Sequence, residues 1–342
     1  MDDEIYTLAQ SGTKNYTEHS IILIGKGSDI TNNKTAKSKA QKKIITQTMA
    51  LSLVDVSKEN RVYECTQSYW NTYHCQNRIT TSDGKIYGRY CKNRICTICS
   101  NIRKAELINK YYPVIKTWED PHFVTLTAKA CSKRVLKRRI DKTIEAFKII
   151  NQRLRKRHQR GKGIKIMGIR SLECNYNPEK KTYNPHFHLI VPNKETGEAI
   201  VEEWLNLWTY KYARKYAQKN ERCYSVESTL IEVIKYGSKI FTEPDLKQKS
   251  KGLGTKIYAG ALHNILNAMK GHRIFDRFGF NLPKTSETSL SKVQTVIDYD
   301  KWVYIPKLRD WRNVNSDEVL SKYVAPAKLQ YLLEQCIDKE AC

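Results

Sequence analysis

A chain of 342 residues is long enough for one large domain or two to three ordinary ones, each with its own core. At 40% hydrophobic and 28% charged residues it contains no apolar run near the roughly 20 residues of a bilayer-spanning helix, which argues against a membrane-spanning protein. The formal net charge of +25, from 60 Lys and Arg against 35 Asp and Glu, points to a polyanionic partner, nucleic acid first.

The opening stretch, MDDEIYTLAQ, is acidic and lacks the apolar core of a signal peptide, so a cytosolic protein is expected. Residues 1–60 are polar and Lys-rich, notably in TNNKTAKSKAQKK. They read as a flexible basic arm with one short helix around IITQTMALSLV. Residues 61–112 hold five of the ten cysteines and run into a helix, CSNIRKAELINKYYPVI. In a cytosolic chain such cysteines are metal ligands or core thiols before they are disulfides.

From 113 to 284 strand and helix patterns alternate. HFVTLTA, residues 122–128, is aromatic and β-branched and predicts a strand. Leu136, Ile140, Ile144, Phe147, Ile150 and Leu154 recur at steps of three and four, predicting a helix of about seven turns. Its opposite face, KRRIDK and RLRKRHQR, is basic, and Gly161 and Gly163 end it. IKIMGIRSLECNY, 164–176, and HFHLIVP predict two strands of a hairpin joined through NPEKKTYNP. Val201, Trp204, Leu205, Trp208 and Tyr212 mark another helix, CYSVESTLI a further strand, and IEVIKYGSKIF a last helix. Residues 285–342 form a region of unknown role, expected to be helical; KYVAPAKLQYLLEQCIDKEA is a terminal helix that could serve a homodimer. Together these predict an α+β fold, a central antiparallel sheet with flanking helices, preceded by a small cysteine-rich module.

In that module RYCKNRICTIC spaces Cys91, Cys96 and Cys99 as C-x4-C-x2-C. The CTIC pair can grip one zinc ion from a tight turn, and a structural site needs four ligands. Cys75, sixteen residues upstream across the polar turn TTSDGK, is the best fourth ligand, with His74 and Cys65 as alternatives. The bland reading is a dense set of thiols with no metal. A redox pair is disfavoured because no thioredoxin-like βαβ context surrounds the CTIC motif.

NPHFHLIVP places His186 and His188 one residue apart, so on a strand both imidazoles point to one face while Phe187 and Leu189 point to the other. If the two strands are hairpin partners, Glu173 lies across from the histidines and adds an oxygen ligand; alone it reads as an edge carboxylate in solvent. Two imidazoles and a carboxylate suit Mg²⁺, Mn²⁺ or another divalent ion that also grips a phosphate. In EVIKYGSK, Glu232 and Tyr236 stand four apart on one helix face and Lys239 follows one turn later. A phenol polarised by a nearby ammonium can attack phosphorus, and a carboxylate one turn away can accept a proton. In a chain with 21 tyrosines, a surface E-x3-Y without a role is the competing reading.

In order, YCKNRICTICSNIRKAEL, FVTLT, NPHFHLIVP and EVIKYGSK resemble the HUH endonucleases, and within them the replication initiators of bacterial rolling-circle plasmids. The resemblance spans residues 75–280, with LHNILNAMKGHRIFDRFGF as a weaker match at its end. It implies an HUH nuclease core in which Tyr236 attacks one phosphodiester at the origin, becomes linked to the 5′ phosphate and frees a 3′ hydroxyl for a polymerase. It further implies His186 and His188 as ligands of a catalytic Mg²⁺ or Mn²⁺, with Glu173 as a third ligand at a position where the family varies. Glu232, four residues before the tyrosine, would activate water for the terminating cleavage. A single tyrosine in the motif, with Glu232 and Ile240 as its neighbours at a four-residue step, favours the one-tyrosine branch.

The expected partners are single-stranded or hairpin origin DNA with flanking duplex, a host helicase and a DNA polymerase, in the cytoplasm of a bacterial cell. The basic helix 132–160 is expected to track the DNA backbone. Two rivals remain: a transposase or relaxase of the same superfamily, and a non-catalytic zinc-containing DNA-binding regulator.

Overall fold

The computed structural model describes residues 21–24, 28–29, 33–59, 65–235, 256–283, 293–296 and 298–340. Its helices are α1 (Asn33–Glu59), α2 (Thr66–Tyr73), α3 (Thr97–Ile115), α4 (Leu136–Gln159), α5 (Lys194–Tyr212), α6 (Val226–Lys235), α7 (Ala259–Ala268) and α8 (Ala327–Gln335). Its strands are β1 (Ile21–Ile24), β2 (Ser28–Asp29), β3 (Arg78–Ser82), β4 (Lys85–Gly88), β5 (His122–Thr127), β6 (Gly168–Asn177), β7 (Thr182–Val191), β8 (Lys219–Arg222), β9 (Ile257–Tyr258), β10 (Phe275–Phe278), β11 (Val293–Val296), β12 (Asp300–Ile305), β13 (Asp310–Asn313) and β14 (Ile337–Asp338). The α+β class and the antiparallel sheet with flanking helices are as expected. Among the described residues no helix is long and apolar enough to cross a membrane.

Two-residue alternation sorts the central sheet into two apolar faces. The strands run β10-β6-β7-β5-β8, every neighbour antiparallel, and the histidine strand β7 is the middle one. Leu126, Leu172, Phe187 and Leu189 point to one side, where α4 and α5 cover them with Ile140, Phe147, Ile150 and Trp204. Ile169 and Ile190 point to the other, beneath Tyr111 and Ile115 of α3 and Leu230 and Val233 of α6. A sheet buried on both faces needs helices on both, and the apolar steps in α4 and α6 provide them.

One expected strand is a helix. CYSVESTLI is rich in β-branched residues, yet Val226, Leu230 and Val233 sit at helical steps, and Ser225 starts α6 by accepting the Ser228 N–H on its hydroxyl at 3.3 Å. The strand beside β5 is instead the charged KNER of β8, whose polarity suits an exposed sheet edge.

The second sheet runs β13-β12-β3-β4-β2. Asp83 and Gly84, both at positive φ (48° and 67°), make the two-residue turn joining β3 to β4. β3 then pairs with β12, Thr80 opposite Lys301, so the cysteine region and the C-terminal region share one sheet. The expected division into a module at 61–112 and a separate helical region at 285–342 therefore gives way to an interleaved unit. The latter contains strands β11 to β14 as well as α8.

Residues 33–59, expected within a flexible arm, form the 27-residue α1. Ile44, Met49 and Leu53 of α1 are buried with Leu262 of α7 and with Leu329 and Leu333 of α8. The alternating Lys and Ala of TAKSKAQKK hide this: Ala36 and Ala40 are buried, and so are Lys39 and Lys43.

Candidate active site

Glu173 lies opposite His186 in the β6–β7 ladder, and Ser171 opposite His188. All three prospective ligands are buried. The two histidine Nε2 atoms stand 3.0 Å apart, and Glu173 Oε2 lies 3.3 Å from His186 Nε2 and 3.1 Å from His188 Nε2. Adjacent ligands at about 2.1 Å around an octahedral ion are about 3.0 Å apart, so the donor spacing fits a Mg²⁺- or Mn²⁺-sized cation.

The outer nitrogens explain the ring orientation. His186 Nδ1 lies 2.8 Å from the Asn184 carbonyl, which only accepts, so Nδ1 carries the hydrogen. His188 Nδ1 is 3.3 Å from Thr125 Oγ1, and its ring stacks on Phe123 at 5.2 Å between centroids. Both Nε2 atoms are turned toward the carboxylate, the arrangement in which outer partners orient metal-binding imidazoles. Lone pairs and a carboxylate buried this close repel one another unless a cation or a shared proton sits among them.

Glu232 is on an exposed turn of α6. Two residues before it Leu230, and one residue after it Val233, pack on Ile169 and Ile190, on the same sheet face as the three donors. Tyr236 and Lys239 lie outside the described residues.

The second cluster joins Cys75, Cys91, Cys96 and Cys99. Cys99 Sγ is 3.6 Å from Cys75 Sγ and 3.7 Å from Cys91 Sγ. This is far beyond a disulfide bond but close to the roughly 3.8 Å edge of a tetrahedron with 2.3 Å zinc–sulfur bonds. Backbone N–H groups of Cys91, Asn93 and Cys99 approach the sulfurs of Cys75, Cys91 and Cys96 at 3.4–3.5 Å. Hydrogen bonds within the cluster pull the Cys91 thiol down and push those of Cys75 and Cys96 up, as expected for sulfurs sharing protons among themselves. The alternatives sit elsewhere: Cys65 donates to Asn267 Oδ1 at 2.6 Å, and His74 stacks on Trp70.

Two supporting lysines were not legible in the sequence. Lys43 donates to the Cys75 carbonyl (2.6 Å), the Tyr73 carbonyl (2.8 Å) and Asn77 Oδ1 (2.6 Å), holding the turn that presents Cys75. Burial pushes the ammonium groups of Lys39 and Lys43 down from 10.5 to about 8. The nearby cysteines act in the opposite direction, as expected for cations beside thiolates. The four-residue Lys39–Lys43 step was the available signal, hidden in a segment that reads as solvated.

The basic helix α4 is not beside the histidines. It covers the opposite face of the sheet, and its Arg153 and Arg157 pair with buried Glu203 at 3.3 and 2.6 Å.

A family model described as "Replication protein" (Rep_1) matches residues 85–301, well over half of the chain and including both the histidine strand and α6. The chain belongs to this replication-protein family. A "Protein rep" of Staphylococcus aureus is 32% identical over 193 residues, covering 51% of this replication protein and 80% of that one. One from Bacillus amyloliquefaciens is 28% identical over 134 residues, covering 36% and 38%, and one from Streptococcus pneumoniae 28% identical over 180 residues, covering 47% and 54%. This replication protein thus spans most of the staphylococcal relative and about half or less of the other two. No solved structure matches it.

Proposed function

We infer that this replication protein is a plasmid rolling-circle initiator of the one-tyrosine HUH type, nicking one DNA strand with a tyrosine. The observation that carries the reading is the inward-facing trio of His186, His188 and Glu173 on the central strands of a chain in the replication-protein family. The family match favours replication over transposition or conjugal transfer, and the trio favours an enzyme over a DNA-binding regulator.

In this reading His186, His188 and Glu173 hold a divalent cation, Mg²⁺ or Mn²⁺, which when bound stabilises negative charge on the scissile phosphate. Tyr236 is the nucleophile: its phenol oxygen bonds to phosphorus, the bond from phosphorus to the 3′ oxygen breaks, and the phenol proton is delivered to that oxygen through solvent. The 5′ phosphate stays on Tyr236 and the 3′ hydroxyl is released to a host polymerase, while a host helicase opens the duplex. Lys239, three residues further along the chain, lowers the cost of the phenolate. Glu232, four residues before Tyr236, takes a proton from the water that ends the round. Leu230 and Val233 support this arrangement by seating α6 on the sheet face that carries the trio. Cys75, Cys91, Cys96 and Cys99 hold a structural Zn²⁺.

The test is a single-stranded oligonucleotide spanning the origin of the element that encodes the protein, labelled at its 3′ end and incubated with Mn²⁺ or Mg²⁺. Labelled protein on a denaturing gel is expected for wild type and not for Tyr236→Phe. Cutting that survives Tyr236→Phe overturns the choice of nucleophile.

A further inference from the structure

At the end of β5, the segment from Trp208 to Gln218 combines three unusual features. Tyr210 and Tyr216 are 75% and 80% exposed, although tyrosine rings are ordinarily half-covered. Arg214 stands between them, its guanidinium 5.1 Å from the Tyr210 ring and 5.9 Å from the Tyr216 ring, and donates to Tyr216 Oη at 3.3 Å. Arg139 reaches over from α4 to the Tyr212 ring at 5.3 Å, which extends the row of rings and cations.

The backbone turns these rings outward. Thr209 breaks α5 at φ 57° and ψ 160°, a conformation that a β-branched residue adopts only at a cost. An unbroken helix would carry the following tyrosines around its own axis. The break instead sends the chain along the end of β5.

That end is level with the trio. Thr127 pairs with His186 in the ladder, and its backbone N–H and C=O are both held by the Gln218 side chain, at 2.8 and 3.1 Å. Two residues later Lys129 donates its backbone N–H to the Tyr212 carbonyl at 2.7 Å. The chain that carries Tyr216 is thus fastened at Tyr212 and Gln218 to the end of β5 and the residues just after it, and Tyr210 stands two residues before the first anchor.

We propose that Tyr210, Arg214 and Tyr216 form a stacking platform for unpaired bases of single-stranded DNA leading to the trio. Exposed rings offer a π-face to any base, and interleaved cations meet the phosphates, which together bind a strand with little sequence preference. Duplex DNA hides its base faces and gains only from the cations. The platform rests on the nicking reading in one respect, that the trio is where the strand must arrive; binding itself needs no cleavage.

The experiment measures fluorescence anisotropy of a labelled oligothymidylate of about 20 nucleotides, which carries no origin sequence, with the full-length protein. A duplex of equal length is measured in parallel. Tyr210→Ala with Tyr216→Ala is expected to weaken oligothymidylate binding by about tenfold or more and duplex binding by less than about threefold. Tyr210→Phe with Tyr216→Phe should bind as wild type, since the face and not the hydroxyl is used. Both variants lie on the surface, and unchanged circular dichroism and Tm establish that they fold. Equal loss on both DNAs, no loss on either, or a changed oligomeric state with unaltered oligothymidylate affinity would each overturn the platform. If the nicking reading fails instead, the origin oligonucleotide shows no Tyr236-dependent adduct while these binding differences remain.

Discussion

Glu173 Oε2 lies 3.1 Å from His188 Nε2 although the two residues are not directly opposed: His188 faces Ser171 in the ladder, and Glu173 reaches diagonally across from its own position opposite His186. One carboxylate oxygen thereby serves both imidazoles. Pairs diagonal across an antiparallel ladder stay within reach of long side chains. Ser171, too short to compete, leaves the space to Glu173.

Glu173→Ala is expected to lower Mn²⁺ affinity by about 10- to 100-fold in isothermal titration, and Thr125→Val, which removes the outer partner of His188, by about tenfold. Nicking should fall with Mn²⁺ affinity in both. Wild-type Mn²⁺ binding in Glu173→Ala would remove this carboxylate from the ligand set.

The cysteine cluster ties the N-terminus of α3, where Cys96 is the capping residue, to the turns around Cys75 and Cys91. One zinc per chain should be released by a strong chelator, with faster proteolysis around residues 75–99 that Zn²⁺ reverses and Mg²⁺ does not. Cys96→Ser should release zinc more readily. Zinc content below about half per purified chain would count against a metal here.

Lys43→Met leaves the Cys75 carbonyl and the Asn77 side-chain oxygen without the lysine's donation, while the Tyr73 carbonyl keeps only the Gln47 amide at 3.3 Å. Unfolding free energy should drop by about 2–5 kcal/mol in urea titrations. Zinc should also leave faster in a chelator competition, because the turn presenting Cys75 loses its anchor. A drop below about 1 kcal/mol would show that water replaces the ammonium.

His263 is buried between Tyr69, whose hydroxyl lies 2.9 Å from its Nδ1, and Asn267, 2.9 Å from its Nε2. Burial holds its pKa below the ordinary histidine value. The unfolded chain therefore binds a proton that the folded one refuses, and stability declines as pH falls from about 6.5 toward the depressed folded value. In urea titrations between about pH 7.5 and 5.5, His263→Gln should flatten this decline by up to about 1.4 kcal/mol per pH unit. An unchanged slope would mean that other groups set it.

The charge excess makes DNA binding salt-sensitive. Affinity for a single strand should fall at least tenfold between about 50 and 200 mM monovalent salt, measured by anisotropy. A flat response would show that phosphates contribute little.

What the sequence determined by itself is local. The step of two in HFVTLT and HFHLIV made strands with both histidines on one face, and the apolar steps of α4 made a one-sided helix. The C-x4-C-x2-C spacing brought three sulfurs within reach of one another. Such patterns survive in one dimension because dihedral periodicity depends on near neighbours.

Tertiary structure decided the rest. The pairing of β3 with β12 joins segments more than 200 positions apart, as Thr80 opposite Lys301 shows. It converted two supposed modules into one. Burial chose helix over strand for Val226–Lys235 and turned Lys43 from a solvated charge into a clamp. It also put the basic helix α4 on the sheet face away from His186 and His188. Each of these outcomes depends on which surfaces meet, and apolar area is removed from water only by partners that sequence spacing does not specify.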